Sequence, residues 1–116
     1  MQGYKELAVW KKSMDLVEVI YKLCHDLPRD EIYGLSSQLK RASVSIPSNI
    51  AEGSRRRHPA EQAQFYAIAF GSGAEIETQI ELCHRLGFID NEKRTDTEKL
   101  LTEIMMMLNK LVFVRH

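Results

Sequence analysis

The sequence is poor in proline, glycine and cysteine, and each shortage excludes a class of protein. Three prolines and six glycines, with few tracts that alternate at period two, argue against a β-sandwich or a β-barrel. Two cysteines cannot build a disulfide framework. No run approaches the roughly 18 apolar residues of a membrane helix, and the first six residues carry no apolar signal region. These absences predict a cytoplasmic protein without a membrane partner.

The residues that are present have the composition of a folded domain. Hydrophobic residues make up 44% of the chain and charged residues 28%, which is globular rather than disordered composition. Sixteen basic residues balance sixteen acidic ones, so no overall charge attracts a polyanion. A length of 116 residues fits one domain, which we expect to span residues 1–116.

Apolar residues recur at helical spacing in four segments of about 20 residues each. Pro28 ends the first segment, and Pro59 suits the first position of the third helix. Gly87 is a natural C-terminal cap for the third helix, and Asp90 can cap the fourth. Four such segments with short connections predict an all-α, antiparallel, up-down-up-down four-helix bundle.

The second segment contains the least regular sequence. Asp30 is a candidate N-cap for its helix, and Gly53 marks a break at its end. Pro47 lies within the apolar pattern and predicts a kink near Ser43, because its ring removes one backbone hydrogen bond. We therefore expect a kinked second helix rather than a clean stop.

The zero net charge hides an uneven distribution. Residues 40–58 contain five basic residues against one glutamate, whereas residues 1–39 and 59–116 are both slightly acidic. Arginine-rich surfaces grip the phosphate backbone of nucleic acids, so we predict an RNA- or DNA-binding surface here. The alternative is a solvated loop, or arginines paired with acidic groups of a neighbouring subunit. The predicted nucleic-acid-binding residues are Lys40, Arg41, Arg55, Arg56, Arg57 and His58.

Polar residues near Pro47 form a second group of interest. If these residues formed an active site, Glu52 and Glu75 would supply its carboxylates. As a structural network, they would bind the backbone groups that the proline frees, and we favour this interpretation. The predicted structural polar network comprises Ser45, Asn49, Glu52, Ser72 and Glu75.

Two glycines flank Ser72 in the middle of the third helix, where each costs roughly 1 kcal/mol relative to alanine. Close approach of another helix would compensate for this cost. Gly71 and Gly73 therefore indicate either a tight contact with the second helix or a subunit interface, and the sequence leaves both open.

Two Cys-His pairs, Cys24-His25 and Cys83-His84, raise the question of a metal site. Adjacent helical residues point about 100° apart, so each pair readily supplies one ligand, whereas zinc needs four ligands. We predict no metal and no cofactor. The sequence also lacks a nucleophile elbow, a phosphate-binding glycine loop and a Cys-x-x-Cys motif, so we do not expect an enzyme.

Residues 33–53, YGLSSQLKRASVSIPSNIAEG, closely resemble the signature of a bacterial four-helix-bundle family named after proteins encoded in 23S rRNA intervening sequences. Leu7, Val9 and Trp10 resemble the opening motif of that family. The resemblance extends over essentially the whole chain. Its later positions are Arg56, Glu61, Phe65, Ile68, Ala69, Gly71, Ser72, Glu75, Glu77 and Thr78.

The resemblance implies a left-handed bundle that assembles as a ring-shaped homopentamer. Relatives include basic accessory proteins of diversity-generating retroelements, which bind reverse transcriptase and nucleic acid. This chain departs from the family pattern at Arg55, where glycine is common, at His58, where a capping serine is common, and at Gly73, where a bulkier residue is usual. We expect a non-catalytic oligomeric binding module with a basic loop that contacts RNA or DNA. The alternative is a protein-interaction scaffold that does not bind nucleic acid.

Overall fold

The computed structural model describes residues 3–113, with side chains through residue 112, and confirms the all-helical prediction. Within this range the chain forms four α-helices and no strands, in a body of 44 × 21 × 20 Å. No helix in the described range combines the length and apolarity needed to cross a membrane. The helices are α1 (Ala8–Cys24), α2 (Leu35–Ser54), α3 (Pro59–Arg85) and α4 (Asn91–Phe113), and the 3-10 turns Gly3–Glu6 and Arg29–Glu31 precede α1 and α2.

Three of the predicted helix ends are confirmed. Pro59 is the first residue of α3, where its missing amide costs nothing. Gly87 adopts φ +79°, and the amide of Phe88 donates to the carbonyl of Cys83 over 2.9 Å, which is a Schellman cap. The carboxylate of Asp90 accepts a 2.8 Å hydrogen bond from the backbone amide three residues later, and so caps α4.

The beginning of α2 differs from the prediction. Asp30 does not cap this helix, because it lies in the preceding 3-10 turn and α2 begins at Leu35. The side chain of Glu31 performs the capping role, since its Oε1 accepts a 3.1 Å hydrogen bond from the amide of Leu35. Further along, Pro47 lies inside α2 and the helix continues through it.

Gly53 is not a helix break, because α2 extends to Ser54. The residue is buried against α3. A Cβ atom at this position would lie 2.8 Å from Cε1 of Tyr66 and 3.0 Å from Cβ of Phe65. The glycine therefore allows α2 and α3 to approach closely at this end of the molecule.

The core lies between four helices that each pack against two others. α1 contacts α2 and α4, and α3 contacts the same two helices. Polar contacts cross from α3 to α2: Ser72 donates to Ser45 Oγ over 2.9 Å, and Gln79 Nε2 donates to Gln38 Oε1 over 3.4 Å. The largest fully buried apolar side chains are Leu16, Ile20, Leu39, Ile46, Ile50, Ile76, Ile80, Leu101, Ile104 and Leu108.

The two glycines around Ser72 have different surroundings. A Cβ at Gly73 would overlap Sδ of Met105, so this glycine serves a close contact with α4. The intrachain contact expected from the sequence therefore exists at Gly73, but its partner is α4 rather than α2. Gly71 is exposed and has no neighbouring atom within 4 Å of its Cβ position, so no contact with the described part of the chain explains it.

Candidate nucleic-acid interface

The basic loop between α2 and α3 consists of residues 55–58, and we call it the arginine pole. The close α2–α3 contact at Gly53 and the helix start at Pro59 fix its two ends. The loop is only four residues long, so its arginines project from a short and well-anchored backbone. Each arginine has a different environment in the folded chain.

Arg55 lies against the beginning of the chain. Its guanidinium carbon is 5.3 Å from the centre of the Tyr4 ring, a cation–π contact. Tyr4 in turn makes an edge-to-face contact with Trp10, with ring centres 5.5 Å apart. Arg55 thus connects the arginine pole to the N-terminal turn while its side chain stays exposed.

Arg56 is committed to contacts within the chain. It forms an ion pair with Glu52 one turn earlier, and its guanidinium lies 4.8 Å from the centre of the Phe65 ring. The backbone carbonyl of Arg56 accepts a 2.8 Å hydrogen bond from the side chain of Gln62. These contacts shape the loop, so Arg56 is a poor candidate for gripping an external phosphate.

Arg57 and His58 have the opposite character. Both are exposed, and neither side chain makes a hydrogen bond or ion pair with the described part of the chain. His58 is the N-cap residue of α3 but provides no side-chain cap, so the first amides of α3 lack that partner. A free guanidinium beside the positive end of a helix can donate hydrogen bonds to two oxygens of one phosphate.

Lys40 and Arg41 do not join this surface. They lie about 20 Å from Arg55 along α2, at 1.5 Å per residue. The ammonium group of Lys40 is 5.0 Å from the centre of the Tyr21 ring, and Arg41 is exposed. The six predicted nucleic-acid-binding residues therefore fall into two separate groups, of which one is the arginine pole, residues 55–58.

The predicted polar network is brought together only in part. Asn49 Nδ2 donates to the carbonyl oxygen of Ser45 over 2.8 Å and to its Oγ over 3.0 Å, and Ser72 donates to the same Oγ. Glu52 turns towards the arginine pole, and Glu75 is exposed on α3. The assembled trio contains hydroxyls and an amide but no group that titrates near neutral pH, which general acid–base catalysis requires.

The two cysteines are buried, and neither Cys-His pair forms a ligand set. Burial raises the pKa of the Cys24 thiol. The pKa of the Cys83 thiol is raised to about 11, mainly by burial and to a smaller extent by the nearby Cys24. The thiolate that a metal requires is therefore disfavoured. His84 lies 3.4 Å from Arg94. Within the described residues, no three or more His, Cys, Asp or Glu side chains are arranged to hold a metal ion.

A family model described as 23S rRNA-intervening sequence protein matches residues 5–110. The chain belongs to this family. It is also similar to the crystal structure of a protein of unknown function from the S23 ribosomal protein family of Bacteroides thetaiotaomicron, at 26% identity and a TM-score of 0.85. That similarity covers 92% of this chain and 100% of the other. No curated protein matches the sequence significantly.

In this member of the 23S rRNA-intervening sequence family, sequence reasoning missed the aromatic partners of the arginines. Tyr4 is distant in sequence from Arg55, and nothing in the loop itself indicates that contact. Phe65 could have been found, because it lies on the first turns of α3 beside the loop. These rings determine which arginines are held and which one is available.

Proposed function

We propose that this protein is a non-catalytic, homo-oligomeric binding module that contacts the phosphate backbone of RNA or DNA through its arginine pole. In this proposal the protein is cytoplasmic and binds no cofactor. Its assembly as a pentamer follows from the family resemblance. The observation that carries the nucleic-acid part is the exposed Arg57 side chain, which has no partner in the described chain and stands beside the uncapped start of α3.

The same proposal includes a single domain of residues 1–116 folded as an up-down-up-down, left-handed bundle. Contacts between α2 and α3 support opposite directions for these helices, since Gln38 meets Gln79 and Ser45 meets Ser72. Between α1 and α4, an ion pair joins Lys93, near the start of α4, to Asp26, just after α1. The handedness follows from the family resemblance alone.

Assembly would raise the affinity of the arginine poles for a nucleic acid. One arginine per chain contributes a single phosphate contact, which is weak at physiological salt. Several copies in one particle present several such groups at once, and simultaneous contacts multiply the affinity without any new chemistry. Arg55 and Arg56 support the surface by holding the loop against Tyr4 and Phe65.

The experiment is a titration of labelled RNA and DNA at several salt concentrations. Its matched control is Arg29→Ala, because Arg29 is an exposed arginine without an ion pair in the described chain, in the 3-10 turn before α2. We expect Arg57→Ala to weaken binding and to lower the salt slope by about 0.7–0.9 for each phosphate that the variant no longer neutralises. Equal affinities for Arg57→Ala, Arg29→Ala and the unmodified protein would contradict the proposal.

The second candidate function is a protein-interaction scaffold that does not bind nucleic acid. It is favoured by the aromatic contacts of Arg55 and Arg56, which use these arginines for packing. It predicts that the unmodified protein binds neither RNA nor DNA at low salt. Replacing residues 55–57 together by alanine should also shift the sedimenting species to smaller mass, so nucleic-acid binding by the unmodified protein is the result that separates the two functions.

A further inference from the structure

An apolar groove runs between α1 and α2 on the outside of the protein. It encloses about 340 Å³ and is lined by Trp10, Met14, Val17, Val44, Pro47 and Ala51 among others. Met14 and Val44 are large side chains that remain 40% and 41% exposed. No described residue of the chain covers this groove.

A basic residue on or just after α2 lies about one helical turn beyond each end of the groove. Lys40 lies over Tyr21 at one end, and Arg55 lies over Tyr4 at the other. These two cations are separated by 15 positions of α2, about 22 Å along the helix axis. The groove is therefore apolar, with a basic residue beyond each end.

α3 carries a surface of the complementary kind, which we call the α3 ridge. It consists of Glu61, Ile68 and Glu75, spaced seven residues apart so that they share one side of the helix. Ile68 is 51% exposed, and both glutamates are exposed without an ion pair in the described part of the chain. The ends of the ridge are about 21 Å apart, which matches the spacing of about 22 Å between Lys40 and Arg55 along α2.

We infer that the α3 ridge of one copy docks into the apolar groove of a second copy. This inference rests on the proposed homo-oligomer and identifies its two contacting surfaces. Ile68 fills the apolar middle, and the carboxylates of Glu61 and Glu75 meet the basic residues beyond its ends. Gly71 lies next to the ridge, and its missing side chain lets the helices approach, which accounts for a glycine that no contact with the described part of the chain explains.

The register within one chain supports this docking. Gln38 is level with Gln79 and Ser45 with Ser72 along the α2–α3 pair. Extending this register places Ile68 level with residue 49, within about 3 Å of the groove centre near Pro47. It also places Glu75 close to the level of Lys40, and Glu61 close to that of Arg55.

The ridge therefore meets the groove of a second copy without any shift along the helix axes. Rotation about an axis parallel to the helices produces this arrangement, and it is the operation that generates a closed ring. The two surfaces lie on different sides of the protein, one between α1 and α2 and the other on α3. The contact is heterologous, because a copy uses its ridge for one neighbour and its groove for the other.

The first test reverses one charge of the ridge. Glu75→Lys places a cation against Lys40 of the next copy, and we expect association to weaken at least tenfold in light-scattering measurements of molar mass. The matched control is Glu77→Lys, which makes the same change on the same helix but on the side facing α4, and it should leave the mass unchanged. Adding Lys40→Glu to Glu75→Lys should restore assembly.

The second test uses thiols at matched levels of the two surfaces. Ser48 is exposed beside the groove and Ile68 is on the ridge, so Ser48→Cys combined with Ile68→Cys should form a ladder of covalent oligomers with a short bis-maleimide. The two native cysteines are buried, and the unmodified protein provides the background. Either variant alone should give no ladder, and a mixture of the two should give dimers only.

These results separate the inference from the function on which it rests. If the unmodified protein has the mass of a single chain, the proposed oligomer and the docking are both wrong. If it is oligomeric but the double-cysteine variant forms no ladder, or Glu75→Lys behaves like Glu77→Lys, the oligomer stands and the assigned surfaces are wrong. A product from either cysteine variant alone would also overturn the inference, because it would mean that a surface meets its own copy.

Discussion

The two ends of the molecule differ in how their charged side chains are paired. At the end opposite the arginine pole, Lys93 pairs with Asp26, and Arg94 Nη1 lies 3.3 Å from Glu81 Oε1. A hydrogen bond from Arg85 lowers the pKa of Glu81, and one with Asp26 raises the pKa of Lys93, so the Glu81 carboxylate and the Lys93 ammonium group stay charged over a wider pH range. At the arginine pole, Arg57 has no such partner in the described chain.

The capping of the helix termini also differs between the two ends. At the opposite end, α3 finishes in a Schellman cap at Gly87, and the Asp90 side chain caps α4. At the arginine pole, the N-cap residue of α3, His58, provides no side-chain cap. The opposite end therefore pairs Lys93 and Arg94 and caps two helix termini, although Arg29 stays unpaired there among the described residues. At the arginine pole, neither Arg57 nor the start of α3 has a side-chain partner in the described chain. This difference supports the proposed contact between the arginine pole and an external phosphate.

The largest expected effect tests what positions the arginine pole. Gly53→Val should destabilise the protein by about 2–3 kcal/mol, because the new side chain collides with Cβ of Phe65, which cannot move without its backbone. Urea denaturation at a fixed protein concentration measures the change. Gly3→Val is the matched control, because a Cβ at Gly3 has no neighbouring atom within 4 Å. Equal unfolding midpoints for the two variants would contradict the close α2–α3 contact.

The next effect concerns the buried Cys83 thiol near the opposite end. Its pKa is about 11 in the folded protein, so the unfolded chain releases this proton first as the pH rises above about 9. Folding stability should therefore fall between about pH 9 and 11, by up to about 1.4 kcal/mol per pH unit. Urea midpoints at pH 8–10.5 measure the slope. Cys83→Ala should flatten it, and an unchanged slope would contradict the assignment.

Smaller effects should distinguish the helix caps at the two ends. Asp90→Ala removes an existing cap and should cost about 1 kcal/mol. His58→Ser introduces a cap where none exists and should stabilise the protein by about 0.5–1 kcal/mol. Thermal unfolding of both variants measures the difference. A loss of stability in His58→Ser would show that the start of α3 already has a structural partner.

The smallest expected effect is also at the arginine pole. Arg57→Ala should change the free energy of unfolding by less than about 0.5 kcal/mol, because the side chain is exposed and unpaired in the described chain. The free energies of unfolding of Arg57→Ala and Arg56→Ala are compared by chemical denaturation. Arg56→Ala should be the more destabilising change, since it removes the interactions with Glu52 and Phe65. The reverse order would contradict the contrast between these two arginines.

Sequence reasoning succeeded where the signal was local. The proline at position 59, the glycine at 87 and the aspartate at 90 act within one helical turn, and the structure confirms each. The cap at Asp30 failed because the neighbouring Glu31, with a longer side chain, reaches the first amide of α2. Gly53 was misinterpreted as a break because packing against α3, rather than backbone conformation, requires a glycine there.

Contacts between distant segments could not be predicted in the same way. Arg55 and Arg56 contact aromatic rings, whereas Arg57 contacts none in the described chain. This difference depends on where Tyr4 and Phe65 lie in the folded chain. Three identical residues in a row carry no such information. Glu75 was predicted to join Ser72 in the polar network, but it is exposed on α3, whereas Ser72 donates a hydrogen bond to Ser45 of α2.

The central claim is that copies of this chain assemble and thereby present the arginine pole several times in one particle. Light scattering of the purified, unmodified protein at micromolar concentration tests it most directly. If five copies assemble, the protein elutes as a single species near the mass of five chains of 13.4 kDa each. A species with the mass of one chain would contradict the claim.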